Sequence, residues 1–147
     1  MNIALGADHG GYAYKEAIKE MLIADGHVVL DVGTTSTESV DYPDYGTKAA
    51  HLVRDGQAEA GVLVCGSGIG ISIAANKVRS IRAANCTSVE MAQLARMHNN
   101  ANMVAVGERL MSVDLARDIV SAFLSTPFEG GRHERRVDKI DSLGDIQ

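Results

Sequence analysis

The sequence predicts an α/β fold, a three-layer α/β/α sandwich built on a five-stranded parallel sheet. Three observations carry this reading. Short apolar, β-branched runs alternate with segments of helical periodicity along the chain. The helical segments often end at glycine, which suits a helix stop. The length, 147 residues, suits one domain that buries roughly two-thirds of its unfolded surface.

Taken in order, NIALGAD at 2–8 reads as the first strand. YKEAIKEMLIADG follows as a helix with Ala17, Ile18, Met21 and Leu22 on one face. HVVLDVG at 27–33 is the second strand, and TTSTESVDYPDYG at 34–46 is the one long polar loop, a length that often marks function. AGVLVCG at 60–66 is the third strand and passes through a glycine-rich turn into a helix; SIRAANC at 80–86 and NMVAVGE at 102–108 complete the set. SVEMAQLARMHNN and SVDLARDIVSAFLS each open with a capping serine and an acid in the first turn. Beyond Pro127 an amphipathic segment, FEGGRHERRVDKIDSL, is expected to be helical over about 128–143 and to reach across the domain or onto a partner. No repeat or linker divides the chain, so one domain over 1–147 is expected. Strands alternating with helices make a Rossmann-like sheet with binding loops at the carboxyl ends of its strands.

Hydrophobic content of 46% with 22% charged residues is that of a globular protein, and aromatics at 4% leave an aliphatic interior. The opening residues lack a basic start, and nowhere do eighteen apolar residues run together, so a cytoplasmic protein is expected. Cys65 and Cys86 are too few for a disulfide framework and lack CxxC spacing, so both should be reduced. A net charge of -5 argues against a nucleic-acid surface, and no basic amphipathic helix points to a membrane. Against that acidic balance stands RHERRVDK at 132–139; such runs are commonly solvated helix faces.

VCGSGIGISIAANK is the most informative stretch. Gly66, Gly68 and Gly70 give GxGxG rather than the dinucleotide fingerprint, and they follow the third strand rather than the first. A phosphatase loop would need arginine at Ile71, and a nucleophile elbow would need glycine at Leu63. By itself the turn fits a tight strand-to-helix passage with a buried thiol. Other residues add weight. Asp8 and His9 end the first strand, which in doubly wound sheets usually lies beside the third. His98 and Asn99 end a helix, where a histidine commonly serves only to satisfy free carbonyls. Arg132 and Arg136 share a helical face and can grip a phosphate together.

With these residues in view the chain resembles the ribose/galactose isomerase family over essentially its whole length, through GADHGGY, SVDYPDYG, VCGSGIGISIAANK, HNNANM, VGER and EGGRHERRV in the family's order. The resemblance implies a metal-free, cofactor-free aldose–ketose isomerase acting on ribose 5-phosphate and ribulose 5-phosphate, with allose 6-phosphate or galactose 6-phosphate as the alternatives. It implies that Cys65 is the base that moves a proton between C1 and C2. A thiolate is favoured where unpaired N–H groups face it at a helix N-terminus. The N–H groups of Gly66, Ser67, Gly68, Ile69 and Gly70, with the Ser67 hydroxyl, are then expected to hold the enediolate. The family more often carries threonine at Ser67, and serine leaves space for a larger substrate. His98 is implied to open the sugar ring, with Asn99, Asp8 and His9 as sugar contacts and Arg109, Arg132 and Arg136 gripping the phosphate. Asp41, Tyr42 and His133 receive no role. No clustered metal-ligand set is visible along the sequence.

A reading of another class, a non-catalytic sugar-phosphate module, would leave Cys65 inert. Topology adds one further expectation. Cys65 follows a strand and His98 precedes one, which puts them at opposite edges of a parallel sheet, roughly 20 Å apart for strands of about six residues. The site is therefore expected to form across a two-fold homodimer, itself open to pairing into a dimer of dimers.

Overall fold

The computed structural model describes residues 1–143, and residues 144–147 of the expected domain lie outside the described residues. Strands β1 (Asn2–Ala7), β2 (Val28–Asp31), β3 (Ala60–Cys65), β4 (Ala83–Asn85) and β5 (Met103–Gly107) form one sheet in the order β2-β1-β3-β5-β4. Every pairing is parallel. The helices are α1 (Tyr12–Ala24), α2 (Tyr42–Arg54), α3 (Ile69–Asn76), α4 (Val89–Asn99), α5 (Val113–Ser125) and α6 (Arg132–Ser142). The predicted α/β class and five parallel strands are what the chain adopts. Among the described residues, no helix is long and apolar enough to cross a membrane.

Side chains alternate across each strand, and that alternation builds two cores. Ile3, Leu5, Val62, Val64, Val104 and Val106 face Ile18 and Leu22 of α1, Ala92 of α4, and Ile119, Val120 and Phe123 of α5. The intervening Ala4, Leu63, Cys65, Met103 and Ala105 face Ala49 and Ala50 of α2 and Ile71 and Ala75 of α3. The second core is built from smaller residues, so α2 lies close to the sheet. A Cβ at Gly6 would stand 2.9 Å from the Tyr45 carbonyl oxygen.

The serine caps form as expected. Ser88 Oγ accepts from Met91 N–H and Ser112 Oγ from Leu115 N–H, both at 3.1 Å. Three boundaries differ from the sequence reading. The long loop ends at Asp41 rather than at 46, because Pro43 in the first turn starts α2 at Tyr42. The last helix begins at Arg132 rather than near 128, because Gly130 and Gly131 adopt φ of 70° and 57° and turn the chain first. The fourth strand shrinks to three residues because Ser80, at φ 69°, keeps the chain out of the sheet. Here the Asn76 side chain takes the place of a neighbouring strand. Its Oδ1 accepts from Ala83 N–H at 2.7 Å and its Nδ2 donates to the Ala83 carbonyl at 2.9 Å.

Lys15, only 1% exposed, anchors the loop after β2. Its Nζ donates to Asp31 Oδ2 at 2.9 Å and to the Thr34 carbonyl at 2.8 Å, and Lys19 reaches the same carboxylate oxygen at 3.1 Å. Burial alone would push the Asp31 carboxyl up, but hydrogen bonds from Lys15, Gly33 N–H and Lys19 outweigh it and hold Asp31 below its ordinary 3.8. Replacing Asp31 with Ala leaves the buried ammonium with the Thr34 carbonyl and, as counter-charge, the exposed Glu16 carboxylate, at an expected cost of about 3–5 kcal/mol in urea denaturation. A carboxyl lowered by folding stabilises the fold fully above 3.8 and loses that contribution as pH falls through its lowered value. The stability gap between wild type and Asp31→Asn should therefore be constant at neutral pH and close in acid. A gap unchanged at acid pH would remove the carboxylate from this role.

Candidate functional site

The sheet order places β1 beside β3, with Ala7 opposite Val64, and strand order reverses direction between them. A crevice at that switch point, outside the carboxyl ends, is the expected ligand position in open α/β sheets. Two loops meet there. After β1, Asp8 is buried and its Oδ1 accepts from Gly10 N–H at 2.9 Å, fixing a short 3-10 turn at His9–Gly11. His9 Nδ1 accepts from Val40 N–H at 3.1 Å. The neutral ring therefore carries its proton on Nε2, which remains available to donate. Val40 belongs to the loop that Lys15 anchors through Thr34, so the buried ammonium also orients His9.

After β3, Cys65 is 5% exposed and its Sγ accepts from Gly68 N–H at 3.1 Å. Gly68 makes this possible. Its φ is 79°, and a Cβ there would collide with Asn85 Oδ1. The next residue opens α3, so the sulfur lies at that helix's N-terminus, where N–H groups lack intrahelical partners. Ser67 Oγ accepts from Ile69 N–H at 3.2 Å. Two of the N–H groups expected to face substrate are thus occupied within the turn, while those of Ser67 and Gly70 make no hydrogen bond among the described residues.

The end of β5 closes this cluster. Glu108 N–H donates to the Cys65 carbonyl and Arg109 N–H to the Gly66 carbonyl, each at 2.9 Å, and the Arg109 guanidinium lies over Gly66. Gly10 packs against the Gly66 backbone, and the ring of Tyr42 lies against Gly70. Asp8, His9, Cys65 through Gly70 and Arg109 are therefore brought together at the carboxyl edge, with Tyr42 beside them.

The remaining predicted residues gather elsewhere. His98 ends α4, and its Nε2 lies 3.4 Å from Glu129 Oε1; its ring stacks on His133 with centroids 4.3 Å apart. Arg132 begins α6 one residue before His133, and Arg136 lies one turn further. Burial pushes the His133 imidazole down, as do the nearby His98, Arg132 and Arg136, against the pull of Glu129. Asn99 faces another space, a cavity of about 700 Å³ lined by Arg82, Ile140 and Asp141 among others. No contact joins this group to Cys65 among the described residues.

Sequence reasoning missed Glu129, although the paired glycines after it signalled a reversal that would bring its carboxylate back towards a neighbour. Along the sequence no clustered metal ligands were visible, yet His98, Glu129 and His133 come together in space, with one ligand atom from each within 4.8 Å of the others. Their separation along the chain hid the cluster.

Cys86 is buried like Cys65, but among the described residues no N–H donates to its sulfur, which instead donates to the Ala84 carbonyl at 3.7 Å. It is 1% exposed among apolar side chains, and burial pushes its thiol up to about 11. Iodoacetamide at pH 8 followed by peptide mapping should label Cys65 and leave Cys86 intact. Faster labelling at Cys86 would contradict this assignment of environments.

Comparison with known proteins matches a family model described as Ribose/Galactose Isomerase over residues 3–140. Ribose-5-phosphate isomerase B of Escherichia coli (strain K12) is 45% identical over 141 residues, covering 96% of this chain and 95% of that relative. The structure of Clostridium thermocellum ribose-5-phosphate isomerase B aligns with a TM-score of 0.98 at 51% identity, covering 99% of both chains. That of ribose-5-phosphate isomerase B from Mycoplasma genitalium with bound ribulose-5-phosphate aligns with a TM-score of 0.94 at 38% identity, covering 99% of this chain and 97% of that one.

Proposed function

The chain belongs to the ribose/galactose isomerase family, and on that premise we propose that it interconverts ribose 5-phosphate and ribulose 5-phosphate with Cys65 as the base. The observation that carries the assignment is the Gly68 N–H directed at Cys65 Sγ beside the loop that carries Asp8 and His9. A hydrogen bond to sulfur is stronger when the sulfur is ionised, so the Gly68 N–H is a donor placed for the thiolate that proton abstraction requires.

The reaction begins on a ring, which has no acidic proton beside a carbonyl. His98 returns a proton to the ring oxygen as the anomeric hydroxyl gives one up, and the open aldose results. Cys65 then takes the proton from C2. The C2 electron pair moves into the C1–C2 bond, and charge develops on the C1 oxygen as the enediolate forms. The unpaired N–H groups of Ser67 and Gly70 supply the donors for that oxygen. Passage of the C2 hydroxyl proton to the C1 oxygen and return of the Cys65 proton to C1, as the C2–O bond becomes a carbonyl, give the ketose. His9, with Nδ1 engaged by Val40 N–H and Nε2 left to donate, contacts the sugar, as do Asp8 and Asn99. Arg109, Arg132 and Arg136 hold the phosphate dianion, which accounts for a basic run in an acidic chain.

Cys65→Ala should lower exchange of the C2 proton with solvent by roughly 10²–10⁴-fold while leaving substrate affinity nearly intact, as judged by deuterium uptake and calorimetric titration. Near-normal turnover would defeat the assignment.

The reaction needs Cys65 and His98 at one sugar, yet the two lie at opposite edges of the sheet. We therefore place the site across a homodimer, with Cys65 from one copy and His98, Arg132 and Arg136 from the other. Ile69 and Ile73, 52% and 57% exposed on consecutive turns of α3, supply apolar surface for such a contact. Mixing Cys65→Ala with His98→Ala under subunit exchange makes about half the dimers mixed, each with one intact site, so activity should recover to about a quarter of wild type. A mixture that stays inactive after mass spectrometry has verified exchange would rule out the shared site.

A further inference from the structure

Residues of metal-ligating type, dispersed along the chain, converge where α4 ends and α6 begins. Glu129 N–H donates to the Met97 carbonyl at 3.1 Å, which pins the connecting segment beside the last turn of α4. Gly130 and Gly131 then reverse the chain, and His133 N–H donates to the Gly130 carbonyl at 3.1 Å. Glu129 and His133 consequently stand together against His98.

Glu129 Oε1 lies 3.4 Å from His98 Nε2 and 3.8 Å from His133 Nε2. A tetrahedral ion with ligands at about 2.0–2.2 Å spaces their atoms about 3.3–3.6 Å apart, so two of the three edges already approach that size. The third closes by a swing of one stacked imidazole against the other. His98 and Glu129 are 42% and 51% exposed while His133 is 13% exposed, so the movement falls to the His98 ring and the Glu129 carboxylate. Two imidazoles and one carboxylate form a ligand set suited to zinc-class ions, with the fourth position left to water or a substrate oxygen. Arg132 and Arg136 oppose a cation here, so binding should be reversible by chelators.

We propose that His98, Glu129 and His133 bind a zinc-class divalent cation, and that the ion inhibits the isomerase by occupying the His98 lone pair needed for ring opening. Binding stands on the geometry alone, whereas inhibition rests on the role given to His98 above. Ring opening requires His98 to exchange a proton with the sugar, and a coordinated nitrogen has no lone pair with which to do so.

Cobalt(II) probes the site and zinc(II) the inhibition, both with the full-length, metal-free protein. Cobalt should bind with the visible d–d absorption of a tetrahedral nitrogen–oxygen site. Glu129→Gln and His133→Gln, with folding checked by circular dichroism, should bind it at least about tenfold more weakly. Zinc should inhibit the wild type, EDTA should reverse it, and the variants should need at least about tenfold more zinc for half-inhibition, each read against its own zinc-free rate. Absence of cobalt binding, or equal binding by the variants, overturns the site and leaves the proposed reaction untouched. A sulfur-to-cobalt band that disappears in Cys65→Ala would transfer the ion to the thiol and overturn the assignment. Binding without inhibition overturns the inhibitory role and counts against His98 in ring opening.

Discussion

The polarity of a parallel sheet is the constraint from which the rest of this molecule follows. Every strand delivers its carboxyl end to the same edge, so loops after strands share one surface and loops before strands share the opposite one. Asp8, His9, the turn from Cys65 to Gly70, and Arg109 all follow strands. His98 and Asn99 precede β5, at the opposite edge of the sheet, and the segment that leads into α6 joins them there. A chemistry that needs members of both groups at one sugar cannot be satisfied by rearranging loops. The proposed shared site answers this with a second copy, and two-fold symmetry would then supply two such sites for each pair.

Within the carboxyl edge, one turn concentrates the demands. The chain must leave β3, present a sulfur, and start α3 within three residues, and a left-handed residue at 68 is what allows it. The N–H that points at Cys65 is therefore unavailable to a ligand, and the donors left over are displaced along the turn to Ser67 and Gly70. Support comes from below and behind. Asn85 and Val106 lie beneath Gly68, and the backbone of Glu108 and Arg109 holds the carbonyls of Cys65 and Gly66. Lys15 acts at longer range, through the loop that carries Val40 to His9.

Much of this was legible in the chain itself. Alternation of apolar runs with helical periods specified the layers, and serine caps marked α4 and α5, because each is a local signal. The carboxyl-edge residues were legible for a related reason: their motifs sit at strand ends, where topology predicts binding loops. The exchanged order of β4 and β5 was not, since no local property of AAN or MVAVG states which strand takes the edge. Glu129 escaped as well. Its meaning depends on His98, some thirty residues earlier, and on two glycines whose positive φ is a three-dimensional fact. Pro43 shows the opposite error, a polar stretch read as loop although its proline marked the first turn of α2.

The clamp on β4 has a consequence for how copies of this chain can meet. Ala83 faces away from β5, and its N–H and carbonyl are both taken by the amide of Asn76. An asparagine side chain carries the same donor and acceptor as a peptide, so it completes the ladder as a further strand would while offering nothing for another strand to join. At that residue the margin of the sheet offers no free peptide group to another strand. For a chain proposed to share its site between identical copies, the clamp sets a bar at Ala83 against the strand-to-strand contact that leads to fibrils and favours a meeting through helical surfaces.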